Sequence, residues 1–282
     1  MPFPLKDSSL AKRLLMAAVY GPIIILSFWH GGLPLFLLMT AVVLIGEWEL
    51  FRMSSNLIRK PHQVVGYLAG FVIMADTFFS QEPHLLGILI ASLAAYFVIE
   101  ICTGTERKFE VIKLSFFITV YPALLTCYLL KIEKLPYTIF GIETRFILFI
   151  MLLYVWLFDT ASYFAGRFWG KEPFFPQVSP RKTREGFIGG FVSVVIMAVV
   201  ISWITNWKSF PHFLAIGILT ALAGQIGDLA ESLIKRDMGV KDSSNLIPGH
   251  GGILDRFDSL IFAGPIIYCY LLLCCRYWGG CL

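Results

Sequence analysis

The sequence predicts an all-α, polytopic integral membrane protein. Of its 282 residues 57 % are hydrophobic and only 15 % charged, and the mean hydropathy is +0.74. A soluble domain carries about 25 % charged residues, so a water-exposed globule, a disordered chain and a small disulfide-built domain are all excluded. Apolar stretches recur at the length of roughly 20 residues that crosses a bilayer, which predicts about nine transmembrane helices. Lys and Arg also alternate between successive loops, as the positive-inside rule requires of a correctly placed set of spans.

The stretches are Leu14 to Trp29, Leu33 to Leu50, Val64 to Phe79, Leu85 to Cys102, Val111 to Leu130, Phe146 to Phe164, Phe187 to Ile204, Phe213 to Leu233 and Phe257 to Cys275. Gly, Pro or charge marks the breaks, as in His30-Gly-Gly, Arg59-Lys-Pro and Gln81-Glu-Pro. Lys12 and Arg13 precede the first stretch, but no small-residue cleavage site follows, so it reads as a span rather than a signal peptide. With nine spans, 18 of the 23 Lys and Arg residues face one side, and Lys131, Lys134, Arg145, Lys208 and Arg276 face the other. This places the N-terminus in the cytoplasm and the C-terminus outside. The net charge of +4 is too mild to indicate nucleic acid. The six cysteines show no metal-ligand spacing and read as small buried hydrophobes.

The two halves differ. Residues 1–142 hold about five spans and no dense polar motif. Residues 143–282 carry two polar, Gly-rich segments around cytoplasmic loops and form the expected catalytic region.

The stronger segment runs from Ser232 to Asp258. Asp228 just precedes it, and Asp228, Glu231 and Lys235 share a helix face. Asp255 and Asp258 do the same at the start of the last span, so carboxylates at the ends of two adjacent helices can converge. Carboxylates in membrane helices are expensive and imply function. Without His or Cys partners they suit a hard cation such as Mg²⁺ together with phosphate oxygens. Pro248-Gly-His-Gly-Gly252 opens onto the last helix, where backbone N–H groups and the helix N-terminus favour an anion. Lys235, Arg236, Lys241 and Arg256 add phosphate-binding charge, whereas Asp237 has no partner at a telling spacing.

The second segment contains Asp159, Tyr163, Gly166 and Arg167, then Ser179-Pro-Arg-Lys-Thr-Arg-Glu-Gly186. Gly166 to Lys171 misses a P-loop by one residue and has Glu172 where Ser or Thr should hold Mg²⁺, so a P-loop NTPase is rejected. Arg181, Lys182 and Arg184 suit a triphosphate or anionic lipid equally. Gly186 and Gly190 have the spacing of close helix packing.

Ser232 to Asp258 resembles the signature of the phosphatidate cytidylyltransferases, the CDP-diacylglycerol synthases: S-x-apolar-K-R, four residues, K-D, a spacer, P-x-H-G-G, then apolar-x-D-R-apolar-D. The second segment resembles the same family's D-x-x-x-Y-x-x-G-R and S-P-K-K-T-x-E-G block, departing at Ser162, where Ala is usual, and Arg181, where Lys is usual. The N-terminal helices match only in number and hydropathy. The resemblance implies that CTP and phosphatidic acid give CDP-diacylglycerol and pyrophosphate at the cytoplasmic face of the cell's inner membrane. It implies catalytic roles for Asp228, Asp255, Lys241 and Lys235, and one or two Mg²⁺ ions held by Asp228, Asp255, Asp258 and Asp159. Ser179, Lys182, Arg236, Asp242, His250, Gly251, Gly252 and Arg256 are then expected to bind substrate. The expected partners are CTP, phosphatidic acid and the lipid bilayer, with a homodimer an admissible assembly. Arg181, Lys182 and Arg184, joined to the acidic cluster only through the fold, are expected to hold outer phosphates before chemistry.

An ion-coupled transporter would place its polar groups near the midplane and in both halves; here they gather at one face and in one half. A CTP-using polyprenol kinase would transfer the γ-phosphoryl group instead. A phosphatidyltransferase would need a D-G-x-x-A-R…D-x-x-x-D block, which the chain lacks.

Overall fold

The computed structural model describes residues 7–57, 62–103, 108–136, 138–176, 178–205, 207, 209–247 and 251–277. Among these lie nine helices: α1 Asp7–His30, α2 Gly32–Ser54, α3 Gln63–Phe79, α4 Leu85–Thr103, α5 Lys108–Glu133, α6 Thr144–Trp169, α7 Arg184–Ile204, α8 Phe210–Asp237 and α9 Leu254–Tyr277. Each apolar stretch of the sequence falls in one of them. Seven are long and apolar enough to cross a membrane. Two shorter apolar stretches complete the set among the described residues, Ala18–His30 of α1 and the 17-residue α3. The protein is thus an all-α polytopic membrane protein.

Two short hairpins, absent from the sequence reading, join the helices. β1 (Thr138–Ile139) pairs with β2 (Ile142–Glu143) around Phe140 and Gly141, at φ 55° and 78°. Positive φ at both central residues gives the turn the twist that a two-residue hairpin needs. β3 (Pro173–Phe175) pairs with β4 (Ser179–Thr183), and Thr183 ends β4 by accepting the Gly186 N–H as the N-cap of α7. Between α1 and α2 the chain turns at Gly31 and Gly32, with φ 64° and 55°, values that glycine adopts without steric cost.

The chain forms two compact units. The first holds α1 to α4, α5 up to Leu124, and Asp237–Phe257; the second holds Leu125–Arg236 and α9 from Asp258 onward. In the first, Phe28, Leu35, Met39, Leu50, Phe51, Ile73 and Met74 are fully buried. Leu86, Ile90, Phe97 and Ile101 of α4 point outward, as lipid-facing side chains do.

In the second unit α7 presents two unlike faces. Gly186, Gly190, Val194 and Ala198 are buried, while Ile188, Val192, Val195, Ile196 and Trp203 are exposed. The glycine face lies on α6. A Cβ on Gly190 would come within 2.6 Å of the Phe158 ring, and one on Gly186 within 2.7 Å of the Ser162 carbonyl oxygen. The small-residue spacing read from the sequence is therefore a close helix contact. Gly166 lies within α6, and Gly170 caps its C-terminus, so the near-miss P-loop is a helix end. The cysteines depart from expectation. Cys127 and Cys274 are buried and free, but Cys102 and Cys269 are exposed and Cys275 is disulfide-bonded.

Candidate active site

In the second unit, glycines let α8 and α9 approach closely. A Cβ on Gly227 would come within 2.5 Å of the Asp258 carbonyl oxygen, and one on Gly224 within 3.2 Å of Ser259 Cβ. This contact brings Asp228 of α8 beside the first turns of α9, where Asp258 is buried and accepts the Ser259 N–H at 2.5 Å. Asp228 and Asp258 both belong to the charged cluster around Lys182. Glu231, one turn after Asp228 and 1 % exposed, lies within hydrogen-bonding reach of Asp258 and receives Lys235 Nζ at 3.0 Å.

Lys182 reaches this cluster from β4. Its ammonium forms an ion pair with the Asp228 carboxylate and donates to Gln225 Oε1 at 3.3 Å. Burial pushes the Lys182 pKa below the usual lysine value; the charge of Lys235 acts in the same direction, and Asp159 and Asp258 oppose it. Lys182, which the sequence joins to the carboxylates only through the fold, meets Asp228 there. The β3–β4 hairpin and the Thr183 cap carry its side chain directly onto Asp228. Ser179, the expected substrate contact, starts β4 opposite Phe175. A cavity of about 370 Å³ opens beside Lys182 and Gln225, lined also by Asp159, Arg167, Arg181 and the rings of Tyr163, Phe174 and Phe187. Tyr163, Phe164, Phe168 and Trp169 are exposed at the end of α6, where an aromatic belt would meet the bilayer interface.

In the first unit, residues on either side of the expected Gly-rich loop meet a carboxyl group that the sequence motifs do not include. Glu49 of α2 is fully buried. Its Oε1 accepts Ser244 Oγ at 2.5 Å and the Ile253 N–H at 2.9 Å; its Oε2 accepts Ser243 Oγ at 3.1 Å and the Leu254 N–H at 2.9 Å. Asp255 Oδ2 accepts the N–H groups of Gly252 at 2.8 Å and Ser243 at 3.2 Å, and Ser243 Oγ at 2.9 Å. The reach from Asp255 back to Gly252 has the three-residue spacing of a capping box. Gly251, at φ 85°, turns the chain, and its carbonyl oxygen accepts the Ile247 N–H. A Cβ on Gly252 would overlap Ser243 Oγ and Glu49 Oε1. Lys241, Asp242, Arg236 and Arg256 are exposed. His250 lies outside the described residues. Asp237 is exposed at the end of α8.

Among the described residues, no three His, Cys, Asp or Glu side chains form a ready-made metal cage. The donor chemistry nonetheless fits Mg²⁺, which is bound by one or two carboxylates plus substrate phosphates and water rather than by a full protein cage. In the second unit, Asp228, Asp159 and Asp258 are hard oxygen donors in one charged cluster.

The model of the cytidylyltransferase family matches residues 11–274. The chain belongs to that family. It is similar to the phosphatidate cytidylyltransferase of Bacillus subtilis, at 30 % identity over 93 % of this chain and 97 % of that protein. The phosphatidate cytidylyltransferase of Haemophilus influenzae is 33 % identical over 93 % of this chain and 96 % of its own length. That of Staphylococcus saprophyticus is 45 % identical over a shorter match, covering 46 % of this chain and 52 % of its own.

Glu49 lies outside both polar segments, in the half of the chain without a dense polar motif. A signal was present: Glu47 and Glu49 interrupt the apolar run from Leu33 to Leu50, where carboxyl groups are as costly as those of the later spans.

Proposed function

We infer that this protein is an enzyme that transfers the cytidylyl group of CTP to phosphatidic acid, giving CDP-diacylglycerol and pyrophosphate for phospholipid synthesis. The observation that carries this reading is the Lys182–Asp228 contact beside a cavity bearing Arg167 and Arg181. It provides charged groups for a phosphate reaction in a chain whose full-length relatives are named phosphatidate cytidylyltransferases.

In the reaction, an oxygen of the lipid phosphate forms a bond to the α-phosphorus of CTP. The bond from that phosphorus to the α,β-bridging oxygen breaks, and pyrophosphate leaves with the electron pair. An ionised lipid phosphate needs no nucleophilic side chain and no strong base. Both reactants are anions, so the barrier is largely electrostatic, and fixed positive groups lower it. Lys182, with Arg181 and Arg167, is assigned to the CTP phosphates at the cavity. Asp228 and Gln225 hold the Lys182 ammonium in place, and Glu231 holds Lys235. When bound, Mg²⁺ on Asp228, with Asp159 or Asp258, would neutralise further phosphate charge. Lys241, Arg236 and Arg256 are assigned to phosphate charge, and Ser179, Asp242, His250, Gly251 and Gly252 to substrate contact.

The proposed topology has a cytoplasmic N-terminus, an outer C-terminus and the reaction at the cytoplasmic face of the inner membrane. The 18-to-5 division of Lys and Arg supports it.

The test uses purified protein in detergent with phosphatidic acid, Mg²⁺ and CTP labelled at either the α- or the γ-phosphate. The α-label is expected in the lipid and the γ-label in pyrophosphate. A γ-label in the lipid would identify a kinase and overturn the reading.

A further inference from the structure

We propose that Glu49 is a positioning residue that sets the geometry of the Ser243–Asp255 segment for catalysis. This rests on the reading above, in which that segment belongs to the reacting machinery. Glu49 lies roughly 200 residues away in sequence, on a helix that the family signature does not include.

Among the described residues, four donors face the Glu49 carboxylate and all come from this segment: two hydroxyls and two backbone N–H groups. Each oxygen receives two of them, which fills the usual capacity of a carboxylate. Glu49 is therefore a clamp rather than a metal ligand. Two of the donors, Ile253 N–H and Leu254 N–H, stand at the start of α9, where backbone N–H groups lack intrahelical acceptors and a negative group is favoured. Ser243 carries the effect onward, since its single hydroxyl hydrogen is shared between Glu49 Oε2 at 3.1 Å and Asp255 Oδ2 at 2.9 Å. Gly252 allows the loop to lie against the carboxylate, because any Cβ there would overlap it. Glu49 thereby fixes both the start of α9 and, through Ser243, the placement of Asp255.

The experiment compares Glu49→Gln, Glu49→Asp, Ser244→Ala and Asp255→Asn with the parent enzyme in detergent. Gel filtration reports folding, and initial rates are measured with CTP and phosphatidic acid each varied. In Glu49→Gln an amide N–H₂ must face one hydroxyl and one backbone N–H, leaving the backbone donor unmatched. A kcat loss of about 10- to 100-fold is expected, with either KM changing less than about threefold. Glu49→Asp, which keeps both acceptor oxygens, is expected to retain more kcat than Glu49→Gln. Ser244→Ala, which removes one donor, is expected to lose about threefold in kcat. A folded Glu49→Gln enzyme with parental kcat, beside an inactive Asp255→Asn, overturns the positioning role and leaves the site reading standing. If Glu49→Gln does not fold, parental kcat in Ser244→Ala overturns it. Full activity in Asp255→Asn would instead overturn the site reading on which the proposal rests.

Discussion

Replacing Lys182 with alanine removes an ammonium that contacts Asp228 and Gln225 beside the basic cavity. Two charges about 4 Å apart at an effective dielectric of 20 interact by about 4 kcal/mol. Lys182 is 29 % exposed, so solvent screening reduces that figure, by about half on the scale of surface and buried pairs. About 2 kcal/mol of stabilisation is then lost where phosphate charge shifts, or roughly 30-fold in rate. Because Lys182 touches Asp228, the loss is expected in kcat rather than only in the KM for CTP. The assay is steady-state pyrophosphate release with CTP varied at saturating lipid. The Lys182→Ala, Asp228→Asn and double variants form one cycle, and the double is expected to fall short of the summed single effects by about 1 kcal/mol or more. Unchanged kcat with raised KM in Lys182→Ala, or strict additivity in the double, would refute the reasoning. It would return the β4 lysine to a purely binding role.

Asp228→Asn keeps the size of the side chain but removes a hard anionic oxygen. It should lower the rate by roughly 100-fold or more and raise the Mg²⁺ concentration for half-maximal activity, while Asp237→Asn should be nearly silent; a magnesium titration of both variants checks this. The Lys182 ammonium, its pKa lowered by burial, loses its proton at lower pH than a free lysine. The pH profile of kcat should therefore fall on an alkaline limb below about 10.4, and Lys182→Arg should remove that limb because a guanidinium stays charged. For topology, Asn245→Cys should label from the cytoplasmic side and Lys134→Cys from outside, measured with an impermeant maleimide in a background lacking the exposed Cys102 and Cys269. The reverse pattern would overturn the orientation and the proposed face together.

Composition alone decided the class of this protein, because so few charges among so many apolar residues leave a bilayer as the only workable solvent. Hydropathy located the nine helices found among the described residues, seven of them long and apolar enough to cross a membrane, since an apolar run in lipid must satisfy its backbone within itself. The spacing of Gly186 and Gly190 announced a close helix contact because only glycine leaves room for one. The run from Ser232 to Asp258 carried the family likeness, because it packs acidic, basic and glycine positions into one continuous segment. The two hairpins escaped notice, as strands of two to five residues produce no periodicity to read. Only the tertiary structure placed Lys182 on Asp228, because a hairpin bend and a helix cap, rather than sequence spacing, set the reach of that side chain. Only the fold assembled the four hydrogen bonds of Glu49, whose donors lie beyond six intervening helices and acquire a common direction once residues 243–244 and 253–254 meet over α2.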